Sequence, residues 1–528
     1  MRRLLLVVVV MLCGWASSTA AQTTDRLIAT ANAAAAADRH AEAIAAYEAA
    51  IAQQPSLRAD LAAKLGRQYL WADQTRRAVV LLRDYVTVHP DDCDVRFDYA
   101  LALLWNNDLR AARGEYQNLQ QTCPSRRQQA RLREAQIERW DDRQSAAAAL
   151  YNQVMAEGSD AEREAARVGL GFVELEKDYD RSASAIFANE PATPSATIYE
   201  GSALAAVRLG DPASGATIIK RAEAANAVSK DLIDLREELR IRDHAAISPQ
   251  ATVFRDADGT TYRAAEAAGS LGWMRNGRAA ALFGTSTLAQ GAETLDDRWA
   301  GASVEQRFTP SLAVIAAGRA HSYESIGFHP ITGELDLVIT PNDRTRFDAA
   351  AARILISDNV AALQHHLAGN FVSLGVDRRL TYLTTISLSA DDTDWNAGNQ
   401  RQRVRFNVIH RFEGVPRITV EWPSLYMRYD RGFAFSLFSP TRYVETGPAV
   451  NVYRRFAKRW SAAAYLRVGA QREEGAAWKQ LAIARLSLDR ELHDVWAAGV
   501  DVSWSNSNLA SATGFRRTAA SLHLTRRF

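Results

Sequence analysis

From Ala251 to Phe528 apolar and polar residues alternate singly, and this period of two limits the fold more than anything else in the chain. Trp496, Ala498, Val500, Val502 and Trp504 share one parity, while Ala497, Gly499, Asp501, Ser503 and Ser505 share the other. Trp460, Ala462, Ala464, Leu466 and Val468 alternate likewise with Ser461, Tyr465, Arg467 and Gly469. The last residues repeat the pattern: Ala520, Leu522, Leu524 and Phe528 stand against Ser521, His523, Thr525 and Arg527, with Arg526 out of place. Side chains of a strand point to opposite faces in turn, so each run predicts a strand with one apolar and one polar face. A soluble sandwich alternates too, but seldom sets small residues and tryptophans on the apolar face so often. A sheet in lipid must close on itself, because the bilayer has no water for a free edge. The expectation is a transmembrane antiparallel β-barrel over 251–528.

The connections support that expectation. Tight turns are predicted at Arg275–Gly277, Thr309–Ser311, Pro341–Arg344, Asp377–Arg379, Glu413–Val415, Ala457–Arg459 and Glu491–Asp494. Longer loops are predicted near Asp256–Gly259, Gln290–Leu295, Tyr323–Gly333, Ser357–His366, Asp391–Gln400, Tyr429–Pro440, Gln471–Gly475 and Ser507–Thr513. Short periplasmic turns alternating with longer outer loops give about sixteen strands and put both ends of the barrel on the periplasmic side. The terminal strand, closing on Phe528, looks like the last strand of a bacterial outer-membrane barrel. At the other end, Arg2 and Arg3 precede an apolar run, Leu4–Leu12, and small residues follow. Residues 1–21 therefore read as a secretory signal, the run being too short to span a bilayer as a helix.

The first half has a different period. Ala43, Tyr47, Ala50 and Pro55 recur in spacing as Ala78, Leu82, Tyr85 and Pro90, and again as Ala112, Tyr116, Leu119 and Pro124. The second copy also carries Leu65, Gly66 and Tyr69 in its first helix. A period near 34 with these residues resembles the tetratricopeptide repeat. Small residues let paired helices approach, and proline ends the second helix. Weaker copies near Ala147–Tyr151, Gly169–Pro191 and Gly201–Ala224 bring the expectation to about six repeats over 22–245. Asp231–Asp243 reads as a charged final helix, and 246–250 as a linker. Charge divides the chain as well. Residues 251–528 hold about 33 Lys and Arg against 27 Asp and Glu, whereas 23–250 lean acidic. Cys93 opens one helix of a repeat and Cys123 closes the next, so a disulfide between them is expected in an oxidising compartment.

By alternation the lumen is lined by Arg319, Arg403, Arg405, Arg411, Glu421, Tyr453, Tyr465, Arg467, Arg485 and Asp501. Hydroxyls and charges of this kind suit a hydrated chain, whose sugar faces stack on aromatic rings. The opposing account is that inward arginines pair with inward carboxylates merely to fill the barrel.

Leader, repeats and barrel in this order resemble the exopolysaccharide export porins, which include the poly-N-acetylglucosamine export porin and the cellulose synthase C subunit. Asp391–Arg401 and Phe438–Tyr443 resemble segments common in such barrels. The resemblance implies an outer-membrane protein that passes a secreted polysaccharide outward, with periplasmic repeats docking synthesis or modification proteins. The repeat region is shorter than in either named member, which implies a smaller or different partner set. The arginine-rich lumen suits a neutral or acidic glycan better than a cationic one.

Two other classes are weighed. One is a surface receptor or adhesin with a plugged barrel and a repeat scaffold. The other is an outer-membrane enzyme, for which neither a Gly-x-Ser-x-Gly elbow nor a His-Glu-x-x-His site is present. His365 and His366, read as strand neighbours, would face opposite sides. Asp391, Asp392 and Asp394 read as a solvated outer loop before a calcium site. No catalytic residue, cofactor, metal or nucleic-acid partner is expected.

Overall fold

The computed structural model describes residues 23–528, apart from 228, 275, 458, 494 and 511–515. The expected signal over 1–21 lies outside the described residues. The chain divides into two compact units, one ending at Gly169 and one running from Leu170 to Phe528.

Helices come first: α1 (23–36), α2 (His40–Gln53), α3 (Leu57–Trp71), α4 (Thr75–Val88), α5 (Cys93–Trp105), α6 (Leu109–Thr122), α7 (Arg127–Trp140) and α8 (Gln144–Glu157). They continue with α9 (Asp160–Glu176), α10 (Asp180–Phe187), α11 (Ala196–Arg208), α12 (Pro212–Ala224) and α13 (Lys230–Asp243). These are six antiparallel pairs and a final helix. Ala43, Tyr47, Ala78, Ala112 and Tyr116 are buried in the stack. A Cβ at Gly66 would meet Leu82 Cδ2 at 2.5 Å, so glycine lets α3 lie directly on α4. Pro55, Pro90 and Pro124 each follow the last residue of a second helix by two positions. Cys93 and Cys123 are joined by a disulfide, their Cα atoms 5.8 Å apart.

The turn inside each pair depends on a left-handed residue. Asp38, Asp73, Asn107, Asp142 and Asp178 have φ of 54°, 59°, 62°, 56° and 57°, and Gly210 serves the sixth pair at 81°. Asp, Asn and Gly are the residue types that tolerate this region.

The barrel strands are β1 (Ala246–Asp256), β2 (Thr261–Trp273), β3 (Gly277–Gln290), β4 (Glu293–Thr309), β5 (Leu312–Ser322), β6 (Ile331–Asn342), β7 (Thr345–Leu355) and β8 (Ala368–Arg379). Then follow β9 (Thr384–Trp395), β10 (Asn399–Phe412), β11 (Arg417–Tyr429), β12 (Tyr443–Thr446) and β13 (Ala449–Phe456). The last are β14 (Trp460–Glu473), β15 (Lys479–His493), β16 (Trp496–Ser505) and β17 (Arg517–Arg527). All neighbours are antiparallel, and β1 pairs with both β2 and β17, which closes the ring. β12 and β13 both pair with β11 and β14 in one continuous register. They are one stave interrupted at Gly447 and Pro448, a residue without an N–H for the ladder. The barrel therefore has sixteen staves.

Several boundaries differ from the sequence reading. Residues 246–250 are not a linker: they begin β1 and pair with β2 and β17. Asp391–Gln400 is not a loop, because β9 runs to Trp395 and β10 starts at Asn399. Asp391, Asp392 and Asp394 are thus strand residues, hidden from a composition-based reading by their polarity. Asp377–Arg379 belongs to β8, with the turn at 380–383. Gln290–Leu295 shrinks to a turn at Gly291 and Ala292.

Outside the ring, near the strand ends, arginines lie over aromatic rings. Arg490 sits 4.9 Å from the Trp460 ring, and Arg526 sits 5.1 Å from Trp496 and 4.6 Å from Phe528. Arg526 thus breaks the apolar parity at the very end of β17, where a long cationic side chain can lie over the aromatic rings.

Candidate functional site

The inward face is identified by the loop between β7 and β8. This loop holds a short helix, α14 (Val360–Gln364), which packs against β3 and β4. Just before α14, Asp358 pairs with Arg517 of β17 at 2.8 Å. A segment leaving β7 can reach those strands only across the barrel interior. The residues it touches, including Leu288, Leu295, Phe254 and Tyr262, therefore point inward. The antiparallel register extends that parity to every stave.

On this basis Arg319, Arg403, Arg405, Arg411, Glu421, Tyr453, Tyr465, Arg467, Arg485 and Asp501 all lie on the inward face. They do not form one cluster. Asp391, with a fully buried side chain, bonds Arg403 at 2.9 Å and Arg405 at 2.7 Å, with Arg401 at 4.0 Å. Three guanidiniums share one carboxylate, and Arg405 stays 44% exposed to the lumen. Arg467 is neutralised by Glu445 at 2.8 Å, and both side chains are buried. Arg485 lies over Tyr465 at 5.3 Å. Glu421 accepts a bond from Asn407, while Asp501 accepts one from Ser487 at 2.6 Å. Arg319 and Arg403 border one cavity of about 520 Å³ with Glu334, His321 and Thr332. Some inward arginines thus fill and pair, whereas the group around Asp391 leaves positive charge in excess.

The outer end of the lumen is narrowed by two loops. α14 buries Val360, Ala362 and Leu363 between the β3–β4 wall and the loop after β11. That loop brings Phe433, Phe435, Leu437 and Phe438 against Trp395, Met427, Tyr429 and Tyr443. Asn359 donates to Ser436 O at 2.9 Å, tying the two loops together. His365 and His366 follow the helix instead of lying in a strand. They stack on Phe435 at 4.3 Å and on Phe328 at 4.5 Å. Among the described residues no group of three or more His, Cys, Asp or Glu is placed to hold a metal ion. The sequence reading missed this closure, although Phe433, Phe435 and Phe438, aromatic residues in a supposedly polar outer loop, were its visible sign.

The opposite mouth is bounded by the last helices. A cavity of about 900 Å³ is lined there by Asp234, Glu237 and Glu238 of α13 and by Arg278, Arg455 and Arg527 of the barrel. The helices are fastened to the turns at this end. Arg181 donates to Thr340 O at 2.6 Å and to Ser311 Oγ at 2.8 Å, while its N–H and that of Ser182 bond the Asp343 carboxylate. Arg379 donates to Asp178 O at 2.8 Å. Burial pushes the neighbouring Asp180 carboxyl above its usual range against the pull of Arg208, 2.9 Å away. The second compact unit thus includes the end of the helical stack as well as the barrel.

Comparison with known proteins follows this division. No curated protein matches the chain. A structure described as a bacterial polysaccharide outer membrane secretin is 17% identical and covers 54% of this chain and 99% of its own, with a TM-score of 0.46. The OpdK outer membrane protein of Pseudomonas aeruginosa is 9% identical over 54% of this chain and 98% of its own, with a TM-score of 0.32. A tetratricopeptide repeat protein of Parabacteroides merdae is 17% identical over 42% of this chain and 87% of its own, with a TM-score of 0.36. Residues 277–528 match the model of the PgaA membrane beta barrel domain. The match starts at β3, and in this chain β1 and β2 complete the ring. The C-terminal part of this chain is therefore an outer-membrane β-barrel similar to the PgaA membrane beta barrel domain.

Proposed function

We propose that this protein is an export porin for a polysaccharide, with its helical repeats in the periplasm docking proteins that make or modify the polymer. The observation that carries this reading is the lumen, where arginines around a single carboxylate leave excess positive charge on a polar, tyrosine-bearing wall. Such a wall attracts anions and tolerates neutral hydroxylated chains, and it repels a polycation. A passive receptor would need no such lining. The mouth lined by α13 supplies a charged vestibule through which a chain delivered to the repeats would enter.

The test is made in the native bacterium. Deletion of the gene is expected to remove a polysaccharide from the cell surface and to leave it in the periplasm, and the wild-type gene is expected to restore export. An unchanged surface glycan profile would contradict the proposal.

A further inference from the structure

In the helical unit ending at Gly169, Trp71, Trp105 and Trp140 are the last residues of α3, α5 and α7, one in each of three successive repeats. Folding usually covers most of an indole. Here the three side chains remain 49%, 45% and 47% exposed. The first two rings meet edge to face, with centroids 5.4 Å apart. Among the described residues of this unit, the other exposed large apolar side chains are Val80 and Val88. Trp71 and Trp105 are therefore adjacent on a largely polar surface, with Trp140 at the equivalent helix end of the next repeat, unlike the broad apolar patch that marks a protein interface.

Polar groups accompany every ring. Two residues after each tryptophan comes the left-handed residue of the turn: Asp73, Asn107 and Asp142. Five residues after the first two come Arg76 and Arg110, both exposed. Beside the third, Asp141 is held by Arg113 and Arg143. A pyranose has an apolar C–H face that lies flat on an indole and a rim of hydroxyls that bond to carboxylates, amides and guanidiniums. A repeated unit of one ring and a polar turn matches that chemistry, and its repetition matches a polymer. We propose that the Trp71–Trp105–Trp140 series is a binding track for an extended polysaccharide, neutral or acidic. The track would present the polymer in the periplasm before it enters the barrel, and in this respect the proposal rests on the export reading above.

The experiment uses the full chain in detergent, titrated calorimetrically with cellohexaose as a neutral probe and hexagalacturonate as an acidic one. Replacement Trp105→Ala should weaken binding of at least one probe roughly two- to tenfold, as expected for the loss of one aromatic contact. Trp105→Phe should retain most of the affinity, and the triple alanine variant should lose this binding component. Circular dichroism at the titration temperature should show the full helical signal in every variant, since about half of each ring lies outside the core. Equal binding by the wild type and the triple variant would overturn the track, as would failure of the wild type to bind either probe. Block of barrel conductance by the same probes is scored separately. Block with unaltered binding in the triple variant sinks the track and leaves export standing. Ring-dependent binding without block would do the reverse.

Discussion

At Asp391 one buried carboxylate serves Arg401, Arg403 and Arg405, so the charge of the lumen is decided by a few atoms. Parity made these arginines legible in the sequence, since Arg403 and Arg405 alternate with Val404 and Phe406. Their shared partner was not legible, because Asp391 read as part of an acidic loop. Replacing Arg405, the most exposed of the three, with glutamine leaves Arg403 on Asp391 and should move ion selectivity toward cations, measured as reversal potential in a salt gradient, while the barrel still assembles. Val404→Arg should instead impair insertion, because an arginine on the lipid face near the midplane costs about 2–4 kcal/mol. Heat-modifiable gel mobility would report that loss. A one-residue error in register would exchange the two outcomes. Asp391→Ala should lower the heat stability of the barrel by about 3–5 kcal/mol, since it strands Arg403 as a buried charge.

Elements were legible to the degree that they repeat. Three copies of a helix pair reveal themselves through Ala43, Tyr47 and Pro55 and their counterparts, and the left-handed Asp38, Asp73, Asn107, Asp142 and Asp178 complete the count. The position of each strand end was less legible, because a polar hairpin such as Asn396–Gly398 looks the same whether its flanks are paired or free. α14 was hidden for a different reason. Its five residues are too few for a helical period, and its place inside the barrel depends on contacts with strands remote in sequence. Shortening 358–366 to a glycine turn should raise single-channel conductance several-fold, as should Leu363→Asp, which sets a charge in the apolar seam. Unaltered conductance in both variants would show that this loop does not limit passage. In the helical unit, Cys93→Ser with Cys123→Ser should lower unfolding stability by roughly 3 kcal/mol, read from denaturant midpoints, because the bridge closes a 30-residue separation.

For the whole molecule the division into helices and barrel was plain from the change of period near residue 250, but the grouping of the parts was not. The helices from Leu170 onward belong with the barrel, fastened through Arg181, Asp343 and Arg379. Ion pairs between a repeat turn and a barrel turn have no periodic sign in sequence. The central claim is that this barrel is a path for a sugar polymer and not a plugged receptor. It is tested most directly in planar bilayers holding the full chain, with and without the 358–366 loop, while neutral and acidic oligosaccharides are added from one side. The account predicts ion conductance that grows when the loop is shortened and is interrupted by transient oligosaccharide blocks, whose frequency falls in the Arg405→Gln protein for the acidic probe. A barrel that stays silent in both forms, or conducts without any block, would contradict it.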